Sequence, residues 1–592
     1  MTHYCLPTHQ TTRTRATTMI TTRFGDLLVV GILAIAMSFG GYSTVSGVER
    51  PNVVLVMTDD QGYGDVGVHG NDKIRTPNLD RFSEQGVTFT RFYCSPVCAP
   101  TRASLMTGRY YYRTGVVHTS RGGAKMQADE VTLAEMLSSA GYSTGLFGKW
   151  HLGDNYPMRP IDQGFDEVLR HSSGGIGQTP DKPNSYFDPL LWHNGCSFKA
   201  QGYCTDVFTD AAIEFIKTNR DGPFFVYLST NTPHTPLEIA DEYVERYRKM
   251  GLSETTARVY GMCENIDDNF GRLLATLDTL GLRDNTLIVF LTDNGPQQKR
   301  YTANLKGRKS WVYEGGIRVP CFVQWPGRFS GGRVVDRIAA HIDLLPTIVE
   351  ACGVVLPKNV RIDGVSQLPR LSGTDTKLDD KRLLFFQCHR GLRPQRYHNA
   401  AVVSQRFKLV MHPGTFGDEQ LAVAGVGAGA GAGAELYDIA RDPNEDRPLV
   451  NAKRQKQLVA AYNEWFDDVR TTRDFVPGRI IVGSDEENPL RLCRYQDGTY
   501  RGDGFSHGWA VEVVRDGNYK LHVDQGDVKQ PVPGRIHVRW LERENSIATK
   551  DGQAVFKLGK GTGTLDIWFQ ADGETRKRIG LNTTEGNVKL QF

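Results

Sequence analysis

The sequence predicts an α/β protein: a large mostly parallel or mixed sheet sandwiched by helices, a smaller C-terminal α+β subdomain, and an extra β-sandwich-like domain at the end of the chain. Three observations lead there. Four strand-like runs are separated by helical patterns, as in a sheet covered on both faces. Each run stops at polar residues suited to chemistry. Beyond about residue 476 the apolar period falls to two, the spacing of half-buried strands. The 592 residues are ample for a large core and two or three domains.

The first run, 52–58 (NVVLVMT), has no polar alternation and reads as a strand buried on both faces. Asp59 and Asp60 follow it. The second, 141–147 (GYSTGLF), leads into Gly148-Lys149-Trp150-His151; the third, 223–229 (PFFVYLS), leads to His234; the fourth, 286–292 (TLIVFLT), leads to Asp293 and Asn294. Helical patterns at 132–140, 207–218 and 257–280 lie among them. In such sheets the carboxyl ends of the strands form the ligand crevice. Any one of these ends alone would pass for a solvated turn; four together point to one site. Asp59, Asp60, Asp293 and Asn294 offer hard oxygens without thiolates, which suits Ca²⁺ or Mg²⁺ better than zinc.

Residues 98–109 (CAPTRASLMTGR) read as a loop entering a helix. Pro100 fits a first turn, and Gly108 can stop the helix. Cys98 is then expected just outside the helix N-terminus, beside Arg102, where negative charge is favoured. By position alone it could be a buried thiol or half of a pair with Cys94. The wording is more specific: Cys98-x-Pro-x-Arg followed by Leu-Met-Thr-Gly-Arg resembles the signature of the sulfatase family, where the cysteine is oxidised to formylglycine. Thr101 stands where that family more often has Ser. Residues 305–316 (LKGRKSWVYEGG) resemble the family's Gly-Lys-Gly-x-x-x-Glu-Gly-Gly segment and place a catalytic lysine at Lys309, with Lys306 the alternative. Arg308 and Ser310 replace the glycines that flank it. Residues 341–349 resemble a further family segment and read as structural helix packing.

The resemblance spans roughly residues 50–450 and implies an alkaline phosphatase-like fold. It also implies a metal, usually calcium, held by Asp59, Asp60, Asp293 and Asn294 and touching both the modified Cys98 and a sulfate oxygen. Arg102 and His151 would hold and deprotonate the formylglycine hydrate, and Lys149 would bind hydrate and sulfate. His234 would give a proton to the leaving oxygen beside Lys309. The expected activity is hydrolysis of sulfate monoesters, with a sulfated carbohydrate as the natural substrate and a sulfatase-maturing enzyme as partner. Two alternatives stand beside it: a phosphonate or phosphate monoester hydrolase of the same superfamily, and an inactive binder of sulfated glycans.

Around this centre the rest of the chain falls into segments. Residues 1–48 carry the apolar run 27–39 (LLVVGILAIAMSF) behind Arg13, Arg15 and Arg23, with Met19 a plausible start. At thirteen residues the run is short for a bilayer and fits a secretory signal, hence export to the periplasm or medium, with an uncleaved anchor as the competing reading. The expected catalytic domain is 50–382, and the smaller subdomain 383–475 includes a Gly/Ala-rich insertion at 422–434 and a helix at 453–469. In 476–592, Asp516-Gly517 looks like a hairpin turn, and tryptophans at 509, 540 and 568 could be core or a sugar platform. A net charge of +3 gives no argument for nucleic acid, and no stable membrane partner is expected. Of ten cysteines, Cys263, Cys321 and Cys352 look like core, and Cys196 and Cys204 are close enough to bridge a loop.

Overall fold

Five apolar side chains of Asn52–Thr58 (β1) divide between two cores: Val53, Leu55 and Met57 enter one, Val54 and Val56 the other. That division explains a run without alternation, because each face of the strand is buried. In the computed structural model, which describes residues 50–375, 381–389, 391–411, 433–500, 507–523, 532–573 and 587–592, β1 lies inside a ten-stranded mixed sheet. Ser143–Gly148 (β2), Phe224–Ser229 (β3) and Thr286–Thr292 (β4) join it as a parallel block in the order β4-β1-β3-β2. On one side the block continues through the antiparallel strand Cys321–Gln324. On the other it continues through parallel Glu167–Arg170 and a hairpin, Leu190–His193 with Cys196–Lys199.

The register fixes the functional edge. Thr58 pairs with Thr292, Met57 with Ser229, and Ser229 with Gly148, so the four parallel strands end within one residue of the same level. Helices Cys98–Thr107, Leu133–Ser139 and Leu344–Ala351 cover one face; Cys204–Thr218, Asp241–Lys249 and Glu254–Thr279 cover the other. Among the described residues no helix is long and apolar enough to cross a membrane.

A four-stranded antiparallel sheet follows: Leu383–Gln387, Ala400–Ser404, Phe407–Met411 and Glu435–Asp438. Its second and third strands form a hairpin turning at Gln405-Arg406. The helix Ala452–Arg470 lays Leu458, Tyr462, Trp465 and Phe466 against this sheet, within the same core as β1. The signal segment and nearly all of the Gly/Ala insertion lie outside the described residues.

The tail forms two antiparallel-rich sheets around a third core, as period-two patterning predicts, and Met158 from the large α/β part joins that core. One expectation is corrected here, and one alternative is decided. Asp516-Gly517 is not a hairpin turn: His507–Val513 and Gly517–Val523 belong to different sheets, so the turn carries the chain from one layer to the other. Trp509 and Trp540 are core side chains, each anchored through its ring N–H on a backbone carbonyl, which excludes them from a sugar platform. The Cys196–Cys204 bridge also does not form. Cys204 begins a helix as a buried, unbridged thiol.

Two buried histidines give a pH dependence. The imidazole of His341 lies between the Tyr93 carbonyl and Ser95, and that of His389 between Tyr112 and the Arg393 carbonyl. Burial pushes each down to about 4. Between the ordinary histidine value of about 6.5 and this lower one, the unfolded chain binds protons that the folded chain does not. Stability should therefore fall as pH drops from 6.5 towards 4. The denaturation midpoint is expected to be lower at pH 5 than at pH 7, with a smaller drop in His389→Gln; equal drops in the two proteins would contradict this origin.

Candidate active site

Backbone hydrogen bonds first lock the strand ends together. The Asp293 amide donates to the Thr58 carbonyl (3.1 Å), Thr230 to Met57 (3.0 Å), Lys149 to Ser229 (2.6 Å) and Asp59 to Thr232 (3.0 Å). Every residue predicted at a strand end therefore reaches one edge. Asp60 and His151 both adopt left-handed backbone, with φ of 66° and 63°. For side chains other than glycine that conformation is uncommon and costs energy, and such positions concentrate at functional sites.

The helix Cys98–Thr107 meets this edge end-on. Cys98 is its first residue and not the residue before it, a one-position correction that keeps the side chain at the positive end of the helix dipole. Gly108 closes the helix in left-handed conformation, as expected. All ten residues of the helix are buried. The Thr101 hydroxyl donates to the Asp293 carbonyl (2.7 Å), so the threonine found here ties the helix to β4.

Three carboxylates and three cations then pair off. Asp59 meets Lys149 at 2.5 Å, Asp60 meets Lys309 at 2.7 Å, and Asp293 meets Arg102 at 2.8 Å. Arg102 also donates to Ser229 Oγ and to the Lys149 carbonyl. Asp60 further accepts from Asn294 (2.7 Å), and its own amide donates to Asp293 Oδ1 (3.2 Å). Burial alone would raise the Asp60 carboxyl, but Lys309 and His234 beside it hold it well below the usual range. Asp293 goes the other way, pushed up to about 6 by burial and by the charge of Asp59. The ligand atoms of Asp59, Cys98 and Asp293 lie within 4.8 Å of one another.

This donor set fits a hard cation. Asp59 Oδ1 and Asn294 Oδ1 are buried without a hydrogen-bond partner, and an unsatisfied carboxylate oxygen in such a place is costly. A divalent ion would satisfy both and offset the repulsion that raises Asp293. Asp59, Cys98 and Asp293 bring their ligand atoms together, and Asp60 and Asn294 adjoin them through their own hydrogen bond.

The histidines are held in complementary ways. His151 Nε2 faces the Thr119 carbonyl at 2.9 Å and must carry the proton, which leaves a buried Nδ1 lone pair without a partner. Burial and Lys149 hold this imidazole well below its ordinary value, hence neutral. In His234 the roles invert: Nδ1 donates to the Thr235 carbonyl at 2.7 Å, and Nε2 lies 3.9 Å from Asp60. Burial and Lys309 push it down to about 4.

A cavity of about 440 Å³ opens above Cys98, lined also by His151, His234 and Lys309. Lys306, the alternative lysine, is elsewhere: its ammonium donates to the Tyr437 hydroxyl at 3.0 Å and lies 4.1 Å from the Tyr313 ring centre. Thr119, Gln178, Gln297, Trp311 and Tyr495 also line it, and no local pattern in the sequence marks their side chains for that role. Arg308 and Ser310, the departures from the glycines expected there, line it as well.

A model of the sulfatase family matches residues 51–354, and a model described as N-sulphoglucosamine sulphohydrolase, C-terminal, matches 307–472. Arylsulfatase A of Homo sapiens is 32% identical, over 75% of this chain and 92% of its own. Steryl-sulfatase of Homo sapiens is 29% identical over the same shares. Among solved structures, Ps i-CgsB in complex with k-i-k-neocarrahexaose aligns with a TM-score of 0.62 at 28% identity, covering 72% of this chain and 94% of that one. Tyr495 lies beyond both family-model matches.

Proposed function

The chain belongs to the sulfatase family, whose members are sulfuric ester hydrolases, and from that premise we propose that it hydrolyses sulfate monoesters through a formylglycine made from Cys98. The observation that carries this reading is the end-on meeting of the Cys98 helix with four level strand ends that supply Asp59, Lys149, His234 and Asp293. The oligosaccharide held by Ps i-CgsB supports a carbohydrate sulfate as natural substrate, with aryl sulfates as artificial ones. The apolar 27–39 run supports export, into a compartment reached through a signal peptide. A sulfatase-maturing enzyme would be the partner that modifies Cys98.

A sulfate monoester is anionic at any ordinary pH, so charge must be met and stabilised as the sulfuryl group moves. A bound Ca²⁺ or Mg²⁺ would supply fixed positive charge there, held by Asp59, Asp60, Asp293 and Asn294. The hydrated aldehyde at position 98 supplies two hydroxyls on one carbon, one to attack sulfur and one to expel sulfate afterwards. Arg102, clamped on Asp293 and Ser229, would hold the hydrate of that residue. Lys149, paired with Asp59, would bind both the nucleophile and a sulfate oxygen. The unpaired Nδ1 of neutral His151 is the atom that takes a proton. His234, anchored through Nδ1, presents Nε2 towards the leaving oxygen; Nε2 must first take a proton from solvent, giving the imidazolium, and then passes it on, a transfer that usually contributes about 10²–10⁴-fold. Lys309 adds positive charge on the same side.

Two measurements test this. The tryptic peptide covering residues 92–102 should be about 18 Da lighter than its sequence mass, the change when SH and one H give way to O. Unmodified cysteine throughout protein from its native host would favour the glycan-binder alternative. Hydrolysis of 4-nitrophenyl sulfate should exceed that of the matching phosphate and phosphonate esters in kcat/KM; the reverse order would make the chain a phosphorus-ester hydrolase.

A further inference from the structure

We propose that the mouth of the cavity is a subsite for a second anionic group on the substrate, formed by Arg308 and walled by Trp311 and Tyr495; it rests on the reading of the cavity as a site for a sugar sulfate ester. Charge accounting leads to it. Arg102, Lys149 and Lys309 each face a carboxylate of the metal cluster. Arg308 is exposed, and its guanidinium has no hydrogen bond or ion pair with any described residue. Among the described residues lining the cavity there is no carboxylate. A monosulfated sugar brings one negative charge, which the floor of the cavity meets. Arg308 is therefore surplus for a monosulfate and suited to a further sulfate or carboxylate, which a planar guanidinium grips in bidentate fashion.

The loop keeps the two neighbouring cations on separate tasks. The amide of Lys309 donates to Pro296 (3.0 Å), that of Ser310 to Pro96 (2.8 Å), and that of Trp311 back to Arg308 (2.9 Å). With the backbone pinned at successive residues, Lys309 turns inward to Asp60 while Arg308 stays at the rim. Tyr495 arrives from the tail and is fixed by its backbone: its carbonyl accepts from Arg121, and the next carbonyl, of Gln496, accepts from Gly122, both at 2.8 Å. The Gln496 side chain also takes a hydrogen bond from Ser173 Oγ at 2.9 Å. Two aromatic side chains in the wall of a polar cavity suit the apolar faces of a pyranose ring.

The test is calorimetric titration of the full chain carrying Cys98→Ala, which prevents turnover, with galactose 6-sulfate and with the 2,6-, 3,6- and 4,6-disulfates of galactose. At least one disulfate should bind about tenfold more tightly than the monosulfate, a difference of about 1.4 kcal/mol. Adding Arg308→Ala should remove that gap, Arg308→Lys should retain part of it, and Tyr495→Ala should weaken monosulfate and disulfate alike. Equal affinity for all four sugars, failure of every disulfate to bind, or a gap that survives Arg308→Ala would overturn the subsite. Turnover of 4-nitrophenyl sulfate by protein with Cys98 intact reports separately on the sulfatase reading, so the two can fail independently.

Discussion

Cys98→Ser should take sulfate from its substrate once and keep it. Serine has a single hydroxyl and is not converted to an aldehyde hydrate by cysteine-directed oxidation. The surrounding cations are held by Asp59, Asp60 and Asp293 and not by Cys98, so the pocket survives the exchange. His151 keeps its free Nδ1 and can still take the attacking proton. The first step is then possible and the second is not, because no second hydroxyl remains to expel sulfate. Covalent catalysis helps only when breakdown of the intermediate is also easy. The expected result is at most one turnover and a mass gain at position 98 of about 80 Da, one SO₃ group. Sustained turnover would mean that water breaks the ester directly, and the requirement for formylglycine would disappear.

Asp293→Asn should cost almost as much, through two routes that a pair of measurements separates. The carboxylate is one of three around the candidate ion site, and its Oδ2 is also the counter-charge of a guanidinium with no exposed surface. Loss of charge should lower calcium content and reduce kcat/KM by at least about 10²-fold, comparable to removing one strong transition-state stabiliser. Asp293→Ala goes further, since Arg102 then keeps a buried charge without its partner, a defect typically costing about 3–5 kcal/mol. Metal analysis should show both variants depleted, while thermal unfolding should separate the alanine variant from the asparagine one. Undiminished metal with native activity in Asp293→Asn would refute the assignment of the strand-end cluster.

What could be read in the sequence was whatever local pattern determines. The strands 52–58 and 286–292 are legible to the residue because burial on both faces leaves no polar alternation to blur their ends. Asp59, Lys149 and Asp293 come next in the chain, and a level register brings them together. Residues such as Thr119 and Tyr495 were not legible, since their place in the wall depends on contacts between segments that local pattern does not connect. Asp516-Gly517 misled for a related reason. A turn-forming dipeptide reports that the chain bends, whereas whether the next strand pairs with the last or crosses to another sheet is decided by packing across the sandwich.

The way the tail is fastened has an evolutionary corollary. The joint at Tyr495 and Gln496 uses main-chain carbonyls against the amides of Arg121 and Gly122, and any residue carries a carbonyl. Position 495 can therefore drift among side chains without loosening the attachment that presents it to the cavity. The residues around Cys98 have no such latitude, because each is committed to a charge partner or a strand end. Selection acting on this molecule can retune which sugar is accepted while the bond-breaking apparatus stays frozen, and it can do so by single substitutions in a stretch of chain separated from that apparatus by some two hundred residues.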